Sequence, residues 1–414
     1  MPQFLIEREL ELPGALGHQD LLEHLSGTVE RRLDVDAMPV RFVVTAFGKD
    51  SYRCEVGTLV GAHRNPGDSI FRFVPRRGES TDSFNAVLLV PTGIGAEIGG
   101  HAGDATPVAI LLASVCDTLV THPNVVNASD IIDLPPNALY VEGSVISRLL
   151  MGTVGLQPVR GNRLLVVIGA HEDELFSHAA INAVSAARAS YGLRGADVVQ
   201  VSPSMTMKSH FTKSGRAAGH VDGLEPLWEV LDSRRGSYDA VAISSVIDVP
   251  ASYHTQYFEV AGAMVNPWGG VEAMLTHALS TLYDIPSAHS PMMETQEIAN
   301  MDPGIVDSRM AAEAVSLTFL QCILKGLQRS PGIVTDADSM ERRGVLTARG
   351  IACLVIPDGC VGLPTLAALE QGIPVIAVRE NKNLMDNDLT GLPWSPGQLH
   401  IVENYWEAAG VMAA

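Results

Sequence analysis

The chain has 414 residues, enough for two or three domains, and a formal net charge of −19 at pH 7. This acidic balance argues against a nucleic-acid partner, because phosphate backbones demand a basic face. No apolar run approaches membrane-spanning length and no signal peptide is recognisable, so we expect a cytoplasmic protein with no membrane partner. The five cysteines have no regular spacing and predict no disulfide framework. We also expect a homo-oligomer.

The first 80 residues predict a small α+β module. Residues 3–10 have the apolar pattern of a strand, residues 18–33 carry an amphipathic helix, and 40–47 and 52–60 form two further strands. Polar joints that contain Gly and Pro at 63–67 and 75–83 place a domain boundary near residue 80.

Residues 81–414 alternate strands and helices, which predicts an α/β body with a doubly wound, mainly parallel sheet and helices on both faces. The sequence leaves open whether this body is one sheet or two lobes split near residue 235. The predicted strands are 85–90, 118–121, 163–168, 196–201, 238–247, 351–356 and 373–378. The predicted helices are 104–115, 143–151, 172–191, 221–232, 269–283, 307–328, 362–371 and 403–411.

The stretch from Val87 to Asn127 organises the body as strand, glycine-rich loop, helix, strand and polar loop. Glycines allow a loop to bring backbone N–H groups close to a ligand, with Asp104 or Thr106 capping the following helix. The spacing departs from the dinucleotide fingerprint, because Ile98 stands where a third glycine is required. Loops at the carboxyl ends of strands hold ligands in open α/β sheets, although such turns also serve only as connectors. The candidate ligand contacts are Thr92, Gly93, Gly95, Gly99, Gly100, Asp104, His122, Asn124 and Asn127.

Longer motifs in this stretch and beyond it resemble one family. The chain reads Pro-Thr-Gly-Ile-Gly-Ala at 91–96, Thr-His-Pro-Asn-Val-Val-Asn at 121–127, Gly-Gly-Val-Glu-Ala at 269–273 and Pro-Ser-Ala-His-Ser-Pro at 286–291. Together with Arg-Glu-Asn at 379–381, they resemble the domain-of-unknown-function family 3326 over roughly residues 84–414. That family is named for lacking a function, so the resemblance implies membership and no reaction.

A basic segment without acids runs from Ser202 to His220. In so acidic a chain, Lys208 and Arg216 on a flexible segment indicate a lid over an anionic ligand, and a solvated surface loop is the alternative. Arg379 and Asn381, after the last buried strand, are further candidates for binding the ligand.

The segment from Ser252 to His289 supplies a second set of polar candidates. His254, Asn266, Gly270 and Glu272 are predicted to line the site. Glu272 and His277 do not share a helix face well, so they are not an obvious pair. A histidine in the position of His289 suits general acid–base catalysis near neutral pH, and a hydrogen-bonded structural role is the alternative.

Cys360 stands at the carboxyl end of a buried strand and before a helix. The helix dipole would lower the pKa of its thiol, which predicts a reactive thiolate assisted by His289 and His101. The segment is similar to the second cysteine loop of the aspartate/glutamate racemase and maleate isomerase superfamily. It is also similar to the sugar-nucleotide loop of two-lobed glycosyltransferases and UDP-N-acetylglucosamine epimerase. The glycine loop carries His101 and no cysteine, which favours one thiol with a histidine over a two-thiol racemase.

These patterns predict an enzyme that acts on a small anionic metabolite through a Cys/His site, as a lyase, an isomerase or a C–N hydrolase. The alternatives are a transferase or epimerase for a nucleotide-linked substrate, and a non-catalytic metabolite sensor. The sequence requires no cofactor. We expect no metal, because His101, Asp104 and His122 lack a close ligand spacing.

Overall fold

A computed structural model describes residues 2–18, 20–48, 50–62, 69–193, 195–259 and 264–414. The predicted joint at 63–67 lies outside these residues. The strands are β1 (Phe4–Pro13), β2 (Ala37–Phe47), β3 (Ser51–Val60), β4 (Asn85–Leu88), β5 (Thr118–Thr121), β6 (Asn127–Ala128), β7 (Ile131–Ile132), β8 (Ala138–Tyr140), β9 (Gly155–Gln157), β10 (Leu164–Gly169), β11 (Asp197–Val201), β12 (Thr206–Phe211), β13 (Ala217–Asp222), β14 (Ala240–Asp248), β15 (Ser287–Met292), β16 (Gly332–Val334), β17 (Ile351–Pro357), β18 (Val361–Gly362), β19 (Val375–Val378) and β20 (Leu399–Val402).

Helices lie in each of the predicted helical ranges, and the structure has further short helices that were not predicted. Where the structure describes the chain, they are α1 (Leu21–Arg32), α2 (Thr106–Ala113), α3 (Pro123–Val126), α4 (Gly143–Leu150), α5 (Glu174–Tyr191), α6 (Glu225–Ser233), α7 (Ala251–Glu259), α8 (Gly269–Tyr283), α9 (Gln296–Ala299), α10 (Ala311–Ala314), α11 (Leu320–Arg329), α12 (Ala337–Met340), α13 (Leu363–Gln371) and α14 (Tyr405–Ala413). No helix in these ranges is long and apolar enough to cross a membrane.

The protein is a mixed α/β structure with two main sheets. One sheet has six strands in the order β20-β19-β17-β4-β5-β8, and every neighbouring pair in it is parallel. Its central strands are continuous apolar runs, and β4 is buried along its whole length. This pattern is typical of parallel strands covered on both faces. Accordingly, α2 packs against α14, and α4 packs against α13.

The other main sheet is mixed and has ten strands. Its order is β11-β10-β14-β12-β13-β1-β3-β2-β18, with β15 beside β14. Strands β10, β11, β14 and β15 are mutually parallel, whereas β1, β2 and β3 pair antiparallel. The N-terminal β1-α1-β2-β3 unit is therefore joined to the body through β13 and β18. Residue 235, near which a division into two lobes was considered, lies between α6 and β14 along the chain. Strand β14 after it pairs with β10 before it in one sheet.

The basic segment from Ser202 to His220 is not a loop. Its residues form the antiparallel hairpin β12-β13 within the ten-stranded sheet, with β13 also paired to β1. Lys208 is exposed on β12, whereas Arg216 is buried against Glu55. The predicted lid is therefore wrong, because the ladder hydrogen bonds that hold this segment in the sheet leave no hinged flap over a ligand.

Two predicted helix limits also change. The helix predicted over 307–328 is continuous only as α11, because Phe319 before it has φ 48°, a left-handed conformation that an α-helix cannot contain. Helix α2 begins at Thr106 with Ala105 as its N-cap and no side-chain cap, and Pro107 occupies the first turn. Asp104 instead accepts hydrogen bonds from the backbone of Gly99 and His101.

Candidate functional site

A cavity of about 290 Å³ lies at the carboxyl edge of the six-stranded sheet. Further walls come from β2, β15, α4, α7, α8 and the start of α11. The loops after β4 and β17 flank the point where the strand order reverses, which is where ligands bind in open α/β sheets. The lining residues that follow strands of this sheet include Pro91 and Thr92 after β4, His122 and Asn124 after β5, Glu142 after β8, and Cys360 after β17.

Three histidine–glutamate pairs line this one cavity. Each pair joins residues that are distant in the chain, so only the tertiary fold brings them together. The contacts are 2.8 Å between His254 Nε2 and Glu294 Oε1, 2.5 Å between His277 Nδ1 and Glu142 Oε1, and 2.9 Å between His289 Nδ1 and Glu272 Oε1.

The pair of Glu272 and His289 is extended by a third residue. The His289 ring is fully buried on β15, and its Nε2 lies 2.9 Å from Ser245 Oγ on β14. Glu272, in the first turn of α8, keeps 24% of its side chain exposed. The order is the reverse of a serine-nucleophile triad, because here the serine is in the core and the carboxylate faces the cavity. In this arrangement Ser245 and His289 hold Glu272 in position, which suits a carboxylate that acts as a base.

Glu142 has a different environment from Glu272. Its Oε2 accepts from the backbone N–H of Ser144 at 2.9 Å and of Val145 at 3.4 Å, which caps α4. Burial alone would raise the pKa of Glu142, but His277 and the bonds from Ser144 outweigh it and hold that pKa below its usual value. Glu142 is therefore a stable carboxylate that orients His277.

A buried polar cluster adjoins the cavity beneath the glycine loop. Burial raises the pKa of Asp104 to about 7 and that of Glu313 to about 7. Glu313 Oε1 accepts from the N–H of Ala102 at 2.8 Å, and both residues line the cavity. Burial lowers the pKa of His101 to about 4, so His101 is neutral at pH 7. The cluster therefore offers carboxyl groups that exchange protons near neutral pH.

The match to a known family covers the chain from the start of β4 to its last residue. Residues 85–414 match the family model described as "Protein of unknown function (DUF3326)". The chain belongs to the DUF3326 family. It is also 34% identical over 336 residues to a Synechococcus protein named "Uncharacterized lipoprotein syc1174_c", across 79% of this chain and 90% of that protein. No solved structure matches the chain significantly.

The glycines of the loop after β4 pack against other residues of the chain and do not face the cavity. Their neighbour Thr92 lines the cavity. Gly95 has φ 65°, and a Cβ there would lie 2.9 Å from Val265 Cγ2. Gly99 has φ 85°, and a Cβ there would lie 2.8 Å from Val90 Cγ1. We predicted ligand contacts from Gly93, Gly95, Gly99 and Gly100, but these four are absent from the lining residues. They let the loop turn and pack closely.

Polar residues of the DUF3326 motifs hold this loop in place. Asn124 Nδ2 donates to the carbonyl of Gly99 and, at 3.3 Å, to that of Val90. Asn381 accepts from the N–H of Ile98 at 2.9 Å and donates to its carbonyl at 2.7 Å. Asn381 is fully buried and does not line the cavity, so its predicted ligand contact is replaced by a structural one.

Other predicted contacts do reach the cavity. His122, Asn127, His254 and Asn266 all line it. Burial lowers the pKa of His122 to about 4, and its Nε2 accepts from the N–H of Val90 at 3.0 Å. Asn266 Oδ1 accepts from the backbone N–H groups of Trp268 and Gly269, just before and at the start of α8. Gly270 packs against Ala217 and does not line the cavity, whereas its neighbour Gly269 does.

The cations predicted to bind an anion are directed elsewhere. Lys208 is exposed on β12, Arg216 is buried beside Glu55, and Arg379 forms an exposed 2.6 Å ion pair with Glu403. None of the three lines the cavity. The sequence showed the charge of these residues, but it did not show whether each would be buried or exposed, or which carboxylate it would contact.

Cys360 lines the cavity but has the wrong electrostatics for a thiolate. It is 2% exposed, and burial, reinforced by Asp358, raises the pKa of its thiol well above the usual value. Helix α13 starts only at Leu363, because Val361 and Gly362 first pair with β2 as strand β18. The predicted low pKa is therefore wrong, and all five cysteines are free thiols.

Several site residues were not singled out from the sequence. They are Glu142, Ser245, Tyr257, Glu294 and Glu313, and His277 was considered only as a partner for Glu272. Glu142 had a partial signal, because an acid directly before a predicted helix, here 143–151, can cap that helix, but β8 before it was not predicted. Glu294 follows β15, which was not predicted, and Glu313 lies in α10, within the helix predicted over 307–328, where nothing in the sequence distinguishes it from a surface acid. Among the described residues, no group of three or more His, Cys, Asp or Glu side chains is placed to hold a metal ion.

Proposed function

We propose that this protein is an enzyme that transfers protons to and from a small metabolite by general acid–base catalysis. The observation that carries the proposal is the convergence of three histidine–glutamate pairs on one cavity. Positioned proton donors and acceptors of this kind contribute about 10²–10⁴-fold to a rate. The reaction classes that fit are a lyase or an isomerase, in which a proton leaves a carbon atom beside a carbonyl or carboxyl group. Hydrolysis of a C–N bond remains an alternative that uses the same groups on water.

Glu272 and Glu313 are the proposed base and acid. Glu272 reaches the cavity with His289 and Ser245 behind it, which suits a carboxylate that accepts a proton. Burial, with a smaller effect of the nearby carboxylates of Asp104 and Glu272, raises the pKa of Glu313 to about 7. Glu313 therefore holds a proton in part of the molecules at neutral pH. Two carboxyl groups in unlike environments are the usual basis for separate acid and base roles.

The cavity lining determines which side chains could balance a charge on the ligand. Arg41 and Arg148 both line the cavity, but Arg41 is paired with Glu7, and Arg148 lies 2.5 Å from Asp284. The other lining side chains that can carry a positive charge are histidines, including those of the three pairs. We therefore keep a small anionic metabolite as the proposed ligand. The lining histidines take the charge-balancing role that the sequence assigned to a basic lid.

A nucleotide-linked substrate has one observation in its favour. Numbered along the chain, the six-stranded sheet has the order 3-2-1-4-5-6, and we propose that it is doubly wound, as in dinucleotide-binding folds. Two local features oppose nucleotide binding. Ile98 replaces the third glycine, and β5 ends at Thr121 and is followed by His122, where an acid would bind the ribose. A cavity of about 290 Å³ also lies at the small end of ligand sites.

The test is a metabolite screen followed by isotope exchange. A ligand at a hundred times its dissociation constant stabilises the folded state by about 2.7 kcal/mol, so binders are found by thermal shift. Each binder is then incubated in D₂O, and NMR detects solvent deuterium at its carbon atoms. Wild type should catalyse this exchange, and Glu272→Gln should lose it while retaining binding. Glu403→Gln, which changes an exposed ion pair, is the matched control.

The outcomes separate the candidate functions. Exchange that persists in Glu272→Gln contradicts the assigned base. Binding without exchange or turnover in wild type indicates the metabolite sensor. Selective stabilisation by nucleotide-sugars indicates the transferase or epimerase.

A cytoplasmic location and a homo-oligomer also remain proposals. All five cysteines are free thiols, which suits a reducing compartment. The similar Synechococcus protein is named a lipoprotein, which would suit attachment to a membrane. Cell fractionation and light scattering of the purified protein test the two proposals.

A further inference from the structure

The N-terminal unit supplies one wall of the cavity, and that wall is almost entirely hydrocarbon. Strand β2 lines the cavity along residues 40–43, and one further lining residue of this unit follows β3. Apart from Arg41, the side chains of the wall are those of Val40, Phe42, Val43 and Ile70. All four residues are buried, with between 1% and 7% of their surface exposed. The ligand that contacts this wall is therefore a small molecule and not the surface of another protein.

The residues beside this wall continue the same chemistry. In strand β18, Val361 and Gly362 pair with Val44 and Val43 of β2. Val361 and, at the start of α13, Leu363 also line the cavity and are 1% and 4% exposed. The strand pairing thus joins the two segments into one apolar compartment, which consists of Val40, Phe42, Val43, Ile70, Val361 and Leu363.

Arg41 does not give the apolar compartment a free charge. Its guanidinium is paired with Glu7 and lies 3.8 Å from Glu55 Oε2. The side chains of both glutamates are 1% exposed, so these contacts lie inside the protein. A hydroxyl or phosphate group of a ligand would lose its water against the hydrocarbon side chains without gaining a partner, which opposes binding. A hydrocarbon group would gain by leaving water.

We propose that the ligand is a carboxylic acid with a hydrocarbon arm, and that the apolar compartment selects this acid by holding the arm. The acidic group lies at the three histidine–glutamate pairs, a placement that rests on the proposed acid–base function. The choice of a hydrocarbon arm depends on the compartment alone. Each CH₂ group that moves from water into such a compartment strengthens binding about fourfold.

Selection of the ligand and proton transfer then belong to different parts of the chain. The three histidine–glutamate pairs all lie within residues 85–414, the part that matches the DUF3326 family. Strand β2 and Ile70 precede that part. The N-terminal unit is therefore a specificity element, because a change in its β2 alters which acid binds and leaves the groups that move protons in place.

The experiment measures the binding of simple acids to the full-length protein by isothermal titration calorimetry. Acetate, butanoate and hexanoate lengthen the hydrocarbon arm by two CH₂ groups at each step. Adipate has the chain length of hexanoate but carries a second carboxylate at the far end. Affinity should rise about 15-fold at each step of the series, and adipate should bind more weakly than hexanoate.

Two adjacent valines of β2 provide a matched pair of variants. Val43 lines the cavity, whereas Val44 is buried and is not a lining residue. Val43→Ala should weaken hexanoate binding by about 4–15-fold, because up to two methyl groups leave the compartment, and should change acetate binding little. Val44→Ala removes the same methyl groups from the core and should leave both affinities unchanged.

Three results would overturn the proposal. The first is an affinity that does not rise with chain length in wild type, including a series in which no acid binds. The second is tighter binding of adipate than of hexanoate, which would show that Arg41 receives a charged group. The third is an equal effect of Val43→Ala and Val44→Ala on hexanoate binding. None of these measurements involves turnover, so their failure is distinct from a failure of the Glu272→Gln exchange test.

Discussion

Glu272 Oε1 lies 2.9 Å from His289 Nδ1, although the two residues are 17 positions apart and belong to α8 and β15. The contact depends on the packing of α8 beside β15 over the cavity. Ser245 on β14 extends it through the other ring nitrogen at 2.9 Å. The sheet thus fixes the orientation of the ring, and the ring fixes the carboxylate that faces the ligand.

Ser245→Ala distinguishes a supporting serine from a nucleophile. Because Ser245 is buried behind His289, its loss should lower turnover by about 10–100-fold, as for other residues that orient a catalytic group. Loss of a nucleophile in a triad would cost about 2 × 10⁶-fold. Steady-state rates of the variant and wild type on the ligand found by screening make the measurement, and a loss above about 10⁵-fold contradicts the supporting role.

Cys360→Ala should retain the fold and most activity. Burial raises the pKa of the Cys360 thiol, which suppresses the nucleophilic thiolate at neutral pH. In native protein, iodoacetamide should modify the partly exposed Cys116 before Cys360, as read by mass spectrometry of tryptic peptides. Rapid labelling of Cys360 with parallel loss of activity would restore thiol chemistry.

Asp104→Asn should flatten the pH dependence of stability between about pH 4 and 7. The pKa of Asp104 is raised from 3.8 to about 7 in the folded protein, so the folded state binds the proton more tightly than the unfolded state. In wild type this group therefore stabilises the fold at low pH and loses that contribution as pH rises to 7. The shift of about three units corresponds to at most about 4 kcal/mol.

Urea unfolding of wild type and Asp104→Asn at pH 5 and pH 8 measures this effect. Asparagine keeps an oxygen for the N–H groups of Gly99 and His101, so the loop contacts remain. An unchanged difference in unfolding free energy between the two pH values would show that Asp104 is not the titrating group.

Gly99→Ala should destabilise the protein more than Gly397→Ala. Both glycines have positive φ, 85° and 79°, so both substitutions carry the strain of a left-handed conformation, about 1 kcal/mol. At Gly99 the new Cβ also meets Val90, whereas nothing lies within 4 Å at Gly397. Overpacking adds about 1–3 kcal/mol to the free energy of unfolding lost at Gly99. Equal midpoints in urea for the two variants would contradict the packing role of the loop.

The hairpin β12-β13 should be protected from hydrogen exchange without any ligand. Its cross-strand pairs run from Thr206 with Asp222 to Phe211 with Ala217. Deuterium uptake over 206–222, followed by mass spectrometry, should be slow and should not change when a cavity ligand is added. Fast uptake that ligand suppresses would revive a lid.

The sequence predicted the longer helices and the strands with clear apolar runs, but not strands such as β12, β13, β15 and β20. Apolar runs such as 118–121 and the helix over 269–283 have the predicted limits in the structure, because local periodicity and turn residues decide them. It also indicated that the loops after β4 and β5 contribute to a site, since parallel strands bring their carboxyl ends to one edge. The family motifs came from the same local pattern.

Only the tertiary structure decided which side chains meet. The sequence offered Glu272 with His277 and judged them unsuited to pair, and in the fold Glu272 contacts His289 while His277 contacts Glu142. Burial likewise reversed the expected chemistry of Cys360, because desolvation opposes the charged thiolate more strongly than a helix three residues away favours it. Pairing and desolvation depend on distances through space, which spacing along the chain does not contain.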